Sequence, residues 1–160
     1  MKVQRLMTKA VSSCLPDDTA NQAARIMWER DCGFVPVVEG HESRRVVGVV
    51  TDRDICIAAY TKNRPLDQIR LNELMSTDVR SCRADDEVSE AEQAMRRSQV
   101  HRLPVLDDAG QLLGVLSLAD VAREAARDTG SKRQEVTARE IGETIAAISR
   151  PREVTAAATS

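Results

Sequence analysis

Apolar residues follow two alternating spacings along the first 127 residues of the chain. Helical spacing, with an apolar residue every three or four positions, follows the acidic starts at 17–19 and 85–87, and predicts a helix after each start. Apolar runs separated by polar turns predict hairpins over 34–51 and 102–117. Further helices are predicted at about 52–60 and 118–127, and short extended runs at 11–14 and 79–82. The predicted order of elements is therefore β-α-β-β-α, twice.

This order reflects an internal repeat. A shift of 68 residues pairs Met7 with Met75, and a shift of 66 residues pairs Gly48 with Gly114. The two missing residues fall in a polar turn, EGHESR in the first copy and DDAG in the second, which is where a hairpin loop tolerates a change in length. We therefore predict an α/β (α+β) fold in which two β-α-β-β-α repeats pack as one pseudo-symmetric module with an added C-terminal helix.

The repeat divides the chain into four segments. The first repeat is predicted at 5–60, a linker broken by Pro65 at 61–74, the second repeat at 75–128, and a C-terminal segment at 129–160. Ile141, Ile145 and Ile148 lie at helical spacing, which predicts an amphipathic helix over about 134–148, followed by a disordered tail. The partner of its apolar face stays open: the module itself, a second subunit or another protein.

Composition narrows the classes of function. The chain has 160 residues, a net charge of −2 and three aromatic residues, so it lacks the basic face and stacking residues of a nucleic-acid binder, and no membrane partner is expected. No apolar run reaches the roughly 18 residues of a membrane span, and the N-terminus lacks the apolar core of a signal peptide. We expect a cytoplasmic protein whose four cysteines are thiols: Cys14, Cys32, Cys56 and Cys82.

The segments GVVTDRD (48–54) and GVLSLAD (114–120) place a hydroxyl residue where a predicted strand ends and a predicted helix begins. Exposed backbone N–H groups at such a helix start favour an anion, and the hydroxyl of Thr51 or Ser117 adds a donor for a phosphate oxygen. A carboxylate three residues later, at Asp54 or Asp120, suits the two hydroxyls of a ribose. The same residues also form an ordinary helix cap, and this structural alternative stays open.

The two copies of this motif, each preceded by an h-P-V strand, resemble a tandem pair of CBS (cystathionine β-synthase) domains. The resemblance covers about 5–128, and TDRDI is similar to the stand-alone bacterial CBS-domain proteins. It implies that Asp54 and Asp120 bind ribose and that Thr51 and Ser117 bind phosphate. It also implies backbone contacts to the adenine edge, near Val11, Val79, Val35 and Leu103. The regulatory ligand implied is an adenine nucleotide, AMP or ATP, with no cofactor required.

Charged residues near the motifs differ between the copies. His101 and Arg102 resemble the His-Arg pair that reaches phosphates in nucleotide-sensing regulatory subunits of kinases, whereas Gly33 and Phe34 occupy the matching positions in the first copy. Arg53 is the candidate cation of the first copy. An alternative for His101 is a half-exposed polar residue at the start of a strand.

Catalytic and metal-binding patterns are missing from the sequence. It contains no G-x-S-x-G, Walker-type or G-x-G-x-x-G motif, and its cysteines and histidines lack the spacing of a metal site. We therefore expect no enzyme and no metal. A minor alternative makes Cys32, next to Gly33, a redox-responsive thiol.

The leading hypothesis is a sensor that binds an adenine nucleotide between the repeats and signals through a dimer or a protein partner. The helices after Asp54 and Asp120 have apolar residues, and the resemblance implies that such helices form a homodimer. Those residues are Ile55, Ala58, Ala59, Val121, Ala122 and Ala125. The alternative is a ligand-independent interaction or stress-response homodimer with vestigial nucleotide motifs.

Overall fold

The computed structural model describes residues 1–127 and 136–151. Within these residues the helices are α1 (Ala20–Glu29), α2 (Asp52–Lys62), α3 (Val88–Ser98), α4 (Leu118–Arg127) and α5 (Ala138–Ile148). The strands are β1 (Phe34–Val38), β2 (Val46–Thr51), β3 (Cys82–Arg83), β4 (Arg102–Leu106) and β5 (Leu112–Ser117). Short 3₁₀ turns occupy Val3–Arg5, Leu66–Gln68 and Leu71–Glu73. The predicted fold class, two β-α-β-β-α copies with a C-terminal helix, is confirmed.

Side-chain caps fix where the helices begin. The Thr19 hydroxyl accepts a hydrogen bond from the Gln22 backbone N–H at 3.2 Å, and the Gln22 side chain accepts one from the Thr19 N–H at 2.8 Å. The same reciprocal box precedes α5, where it joins Thr137 and Glu140. Each box pairs N–H groups that the first helical turn leaves unpaired, so the helix starts directly after the capping residue.

Each copy contains one antiparallel hairpin. In the first copy β1 pairs with β2, and Pro36 lies opposite Val49. In the second copy β4 pairs with β5, and β3 runs parallel to β4 at its other edge. The predicted strands at 11–14 and 79–82 are too long. The first reduces to one parallel bridge from Cys14 to Val37 and the second to two residues, because only the end of each run reaches the hairpin.

The two copies exchange short segments at their sheet edges. Thr8 pairs with Val115 of the second copy through two backbone hydrogen bonds of 2.9 and 3.0 Å, and Ser76 pairs with Val49 of the first copy through two of 3.0 Å. A Cβ atom on Gly114 would lie 2.5 Å from the Thr8 carbonyl oxygen. The glycine that opens the second motif is therefore required by this close approach of backbones.

Each copy has its own apolar core, and α5 belongs to the core of the second copy. Ile141 and Ile148 pack there with Val136, against α3 and α4. The helix begins at Ala138 rather than near 134, because Thr137 caps it. The partner surface left open by the sequence is thus the module itself. The predicted disordered tail, TAAATS (155–160), and the start of the predicted helix lie outside the described residues.

None of the helices within 1–127 and 136–151 is long and apolar enough to cross a bilayer.

Candidate functional site

Both predicted strand-to-helix junctions form capping boxes. At the first, Asp54 Oδ2 accepts hydrogen bonds of 2.8 Å from the Thr51 N–H and from its hydroxyl. At the second, Asp120 Oδ2 accepts bonds of 2.9 and 2.6 Å from the Ser117 N–H and hydroxyl. All four residues are half-buried. The capping geometry is therefore present at both junctions, and it commits one carboxylate oxygen of each aspartate.

The second junction opens into a cleft of about 430 Å³ between the copies, here called the Asp120 cleft. The second copy contributes the junction itself and the start of β4. The first copy contributes the end of α1, the start of β1 and the segment that pairs with β5. The lining residues are Thr8, Ala10, Val11, Ser12, Ile26, Arg30, Asp31, Cys32, Phe34, Arg102, Val115, Ser117, Ala119, Asp120 and Arg123.

The lining combines groups of different chemistry. Val11, Ile26 and Phe34 are apolar, and a flat apolar ring fits against such side chains. Ser117 and Asp120 lie at the start of α4, where the helix dipole favours an anion. Arginine side chains supply positive charge to the same cleft, from Arg30, Arg102 and Arg123, and Asp31 supplies a second carboxylate.

The repeat relates this cleft to a second one of about 510 Å³, here called the Asp78 cleft. Ser76, Asp78, Arg80, Arg97, Ser98 and Val100 line it. Asp78 stands at the repeat position of Ala10, and Arg80 at that of Ser12. Asp78 Oδ2 lies 2.7 Å from Arg80 Nη2, so the Asp78 carboxylate neutralises the charge of Arg80, which is one of the two arginines that line the Asp78 cleft. The two clefts are therefore chemically different.

The structure brings four of the predicted site residues together in the Asp120 cleft: Val11, Arg102, Ser117 and Asp120. Across the parts of the chain that the structure describes, the others line neither cleft. Thr51 and Asp54 form the first junction, and Arg53 is exposed on the first turn of α2. His101 is also exposed, and its carbonyl accepts a hydrogen bond from the Leu118 N–H at 2.9 Å.

The predicted adenine-edge positions other than Val11 do not line the Asp120 cleft. Val35 and Leu103 are fully buried in the two hairpins, and they lie opposite Val50 and Leu116. Val79 is half-buried next to the Asp78 cleft residues in sequence.

Sequence reasoning missed two arginines of the Asp120 cleft. The Arg123 guanidinium contacts Asp120 Oδ1, three residues earlier on the same helix. The spacing of an acidic and a basic residue at i and i+3 is a signal that predicts such a pair. Arg30, at the end of α1, carries no comparable signal, because a charged residue at a helix end is ordinary.

The cysteines fall into two groups. Burial, with a smaller contribution from a nearby aspartate, raises the pKa of Cys14 to about 11 and that of Cys82 to about 12. Cys32 lines the Asp120 cleft, with its Sγ 3.6 Å from the Phe34 carbonyl oxygen, and Cys56 is exposed. The described residues contain no cluster of three or more metal-ligating side chains of the His, Cys, Asp and Glu types.

Two β-α-β-β-α copies that exchange edge segments and together line the Asp120 cleft define a tandem α/β module. The CBS domain family model matches residues 3–60 and 71–127, and the chain belongs to this family. It is 33% identical over 120 residues to the CBS domain-containing protein YhcV of Bacillus subtilis, covering 75% of this chain and 82% of YhcV.

Another relative is a much longer protein. The inosine-5'-monophosphate dehydrogenase of Methanocaldococcus jannaschii is 32% identical over 133 residues, which is 79% of this chain but only 25% of the enzyme. This chain thus spans a quarter of that relative's length. The structure of CBSX2 in complex with AMP has a TM-score of 0.68 against this chain at 23% identity, and the match covers 79% of this chain and 96% of CBSX2. That likeness shows the fold.

Proposed function

We propose that the chain is a non-enzymatic regulatory module that binds an adenine nucleotide, AMP or ATP, in the Asp120 cleft. The observation that carries this proposal is the meeting of Ser117, Asp120 and Arg102 with an apolar face in one cleft between the copies. The fold is shared with CBSX2, whose structure holds AMP.

The chemistry of the lining supports one orientation of the ligand. The adenine ring packs against Val11, Ile26 and Phe34, which remove its apolar faces from water. The ribose hydroxyls donate to Asp120 Oδ1, the oxygen that the cap does not use. The phosphate lies at the start of α4, where it accepts from the Ser117 hydroxyl and the Arg102 guanidinium.

The Asp78 cleft is the weaker candidate for the same ligand. Asp78 replaces the small, uncharged Ala10 of the Asp120 cleft, and it places a carboxylate where a nucleotide would bring further negative charge. Like charges at short range oppose binding. We therefore propose that the two clefts are not equivalent and that the Asp120 cleft fills first.

Thermal unfolding with a panel of ligands tests the proposal. AMP, ADP, ATP, NAD and S-adenosylmethionine are each added to the wild type and to the variants Asp120→Asn and Asp54→Asn. A ligand at 100 times its Kd stabilises the folded state by about 2.7 kcal/mol, which corresponds to roughly 5–11 °C in a chain of this size. We expect this shift in the wild type and in Asp54→Asn, and its loss in Asp120→Asn.

Asp54→Asn is the matched control, because it alters the same kind of capping box in the other copy. A cap change alone lowers both variants' Tm without ligand and leaves the ligand-induced shift intact. No shift with any ligand at millimolar concentration would refute the adenine hypothesis. Equal loss of the shift in both variants would refute the assignment to the Asp120 cleft.

Cysteine alkylation gives an independent test of the same cleft. Cys32 lines it and Cys56 is exposed on α2, outside its lining residues. We expect AMP to slow the reaction of iodoacetamide with Cys32, measured for each residue by mass spectrometry, and to leave the rate at Cys56 unchanged. An unchanged rate at Cys32 in saturating AMP would contradict this location of the ligand.

Most of the apolar residues predicted to form a homodimer are buried in the two cores and are not free for a partner: Ile55, Ala58, Val121 and Ala125. We propose instead that the module forms a homodimer through exposed apolar residues of α1 and α2. Trp28 is 88% exposed there, Tyr60 87% and Ile57 48%. In the second copy, Arg96 occupies the repeat position of Trp28 and α5 packs beside it. Sedimentation velocity on wild type and Trp28→Ser tests this: the proposal expects a dimer that weakens in the variant, and a monomeric wild type at micromolar concentration contradicts it.

The signalling step is the part of the proposal that involves a partner. Nucleotide binding shifts the balance between two arrangements of the copies only by its difference in affinity for them. The competing proposal, a ligand-independent interaction protein, is favoured by one observation: the capping boxes account for Thr51, Asp54, Ser117 and Asp120 without any ligand. The ligand panel separates the two, because only the sensor gains stability from nucleotide.

A further inference from the structure

The Asp120 carboxylate is fully engaged before any ligand arrives. Its Oδ2 accepts both hydrogen bonds of the cap from Ser117, and its Oδ1 faces the Arg123 guanidinium. The Asp120 side chain is 12% exposed, whereas that of Arg123 is 62% exposed. Arg123 therefore lies on the solvent side of the carboxylate, at the cleft lining, and it can leave Asp120 by rotating its own side chain.

The first copy provides an internal comparison for this ion pair. Ile57 stands at the repeat position of Arg123, and Asp54 makes the same cap with Thr51. Among residues 1–127 and 136–151 no cation contacts Asp54. The cap consequently does not require the arginine, and the Arg123 contact is an addition specific to the second copy and to the Asp120 cleft.

The other cations of this cleft are differently placed. Arg30 and Arg102 line it, and neither makes an ion pair with any residue in the described part of the chain. Arg123 is thus the cleft arginine whose charge is already compensated. A ligand that takes Asp120 Oδ1 deprives Arg123 of its partner, and the cost of that loss depends on what the ligand offers in return.

We propose that Arg123 determines specificity for phosphorylated nucleosides by exchanging Asp120 for the ligand phosphate. When the ribose hydroxyls occupy Asp120 Oδ1, the guanidinium turns to the phosphate and regains a charge-assisted hydrogen bond. A neutral nucleoside such as adenosine must displace Arg123 without supplying an anion. Because water solvates the largely exposed Arg123 at little cost, the preference for AMP comes from the charge-assisted hydrogen bond that only the phosphate returns. This inference rests on the proposed function, since it assumes that the cleft binds a nucleotide.

Calorimetric titration of AMP and adenosine into the wild type, Arg123→Gln and Arg123→Lys tests the exchange. In Arg123→Gln, we expect AMP to bind at least tenfold more weakly and adenosine to bind as well as or better than in the wild type. The AMP-to-adenosine preference therefore falls at least tenfold. Arg123→Lys, which keeps the charge but not the planar fork, retains part of the preference.

Arg25→Gln is the matched control. Arg25 also forms an exposed ion pair along one helix, with Glu29 at 2.7 Å, and it lies outside the lining of the Asp120 cleft. We expect its affinities for both ligands to equal those of the wild type. Unfolding curves without ligand verify that all variants are folded.

The outcomes separate this inference from the proposed function. Equal weakening of AMP and adenosine in Arg123→Gln, or unchanged affinity for both, overturns the exchange while leaving nucleotide binding in place. A wild type that binds AMP and adenosine equally also overturns it. A wild type that binds neither AMP nor adenosine overturns the inference, and it overturns the proposed function as well if no ligand of the thermal-unfolding panel stabilises it.

Discussion

Replacing Thr144 with valine tests how α5 is held on the second copy. Thr144 is fully buried between α5 and α3, and its hydroxyl oxygen accepts a hydrogen bond from Arg96 Nε at 2.6 Å. The hydroxyl donates to the Glu140 carbonyl at 2.8 Å. Valine has nearly the same shape, so the substitution removes the hydroxyl and its bonds without opening a large cavity.

The expected magnitude follows from the bond that is lost. A hydrogen bond to a charged group contributes about 1.5–3 kcal/mol, and the Arg96 side chain is only 29% exposed, so water replaces the hydroxyl incompletely. Arg96 keeps its bond to the Glu140 carbonyl at 3.0 Å, so we expect the middle of this range, about 2 kcal/mol. For a chain of this size that loss lowers Tm by roughly 4–8 °C. Urea unfolding followed by circular dichroism measures it.

Thr61→Val is the control for the bond within the helix. The exposed Thr61 hydroxyl donates to the Ile57 carbonyl at 2.8 Å, the same bond from residue i to i−4 that Thr144 makes. We expect this variant to change the free energy of unfolding by less than about 0.5 kcal/mol. If Thr144→Val changes it equally little, the Arg96 contact does not hold α5 and the reasoning is wrong.

Two further predictions concern buried and crowded positions. Burial raises the pKa of Glu92 above 4.5, so its ionised form destabilises the folded state at neutral pH and this penalty disappears below the unfolded-state pKa. Glu92→Gln is therefore expected to be more stable than wild type at pH 7 in urea unfolding, with the difference vanishing near pH 4; a constant difference would contradict the assignment. Gly114→Ala is expected to lose about 1–3 kcal/mol, because its Cβ would meet the Thr8 backbone. Gly48→Ala should lose less in the same assay, since the nearest atom is the movable Met75 sulfur at 2.7 Å, and equal losses would contradict this.

Local patterns in the sequence predicted most of the fold. The helices after Thr19 and Glu87 and both hairpins follow from apolar spacing and capping residues that lie within a few positions of each other. The repeat shift added the two-copy architecture. The strand predicted at 11–14 was wrong in length, because whether an extended segment pairs depends on how much of it reaches the hairpin edge.

These local patterns do not predict contacts between segments that are distant in the sequence. The pairing of Thr8 with Val115 decides that the Asp120 cleft includes residues of the first copy, and no local signal encodes it. The stripe Ile141, Ile145 and Ile148 predicted the amphipathic character of α5 but not its buried face. Ile145 is 48% exposed, and the position that the helix buries instead is the polar Thr144, which a search for apolar residues passes over.

The exchange of edge segments sets an order of folding during synthesis. The hairpin of the first copy is complete once residue 51 has been made, but Val49 on β2 has no backbone partner at the sheet edge until Ser76 has been made. The segment containing Val3 and Thr8 bonds to Asp86 and to Val115, so it stays undocked until the second copy has left the ribosome. Contacts so distant in sequence slow folding, because the intervening chain must be ordered first. Within the module, the segment that is synthesised first is thereby among the last to fold.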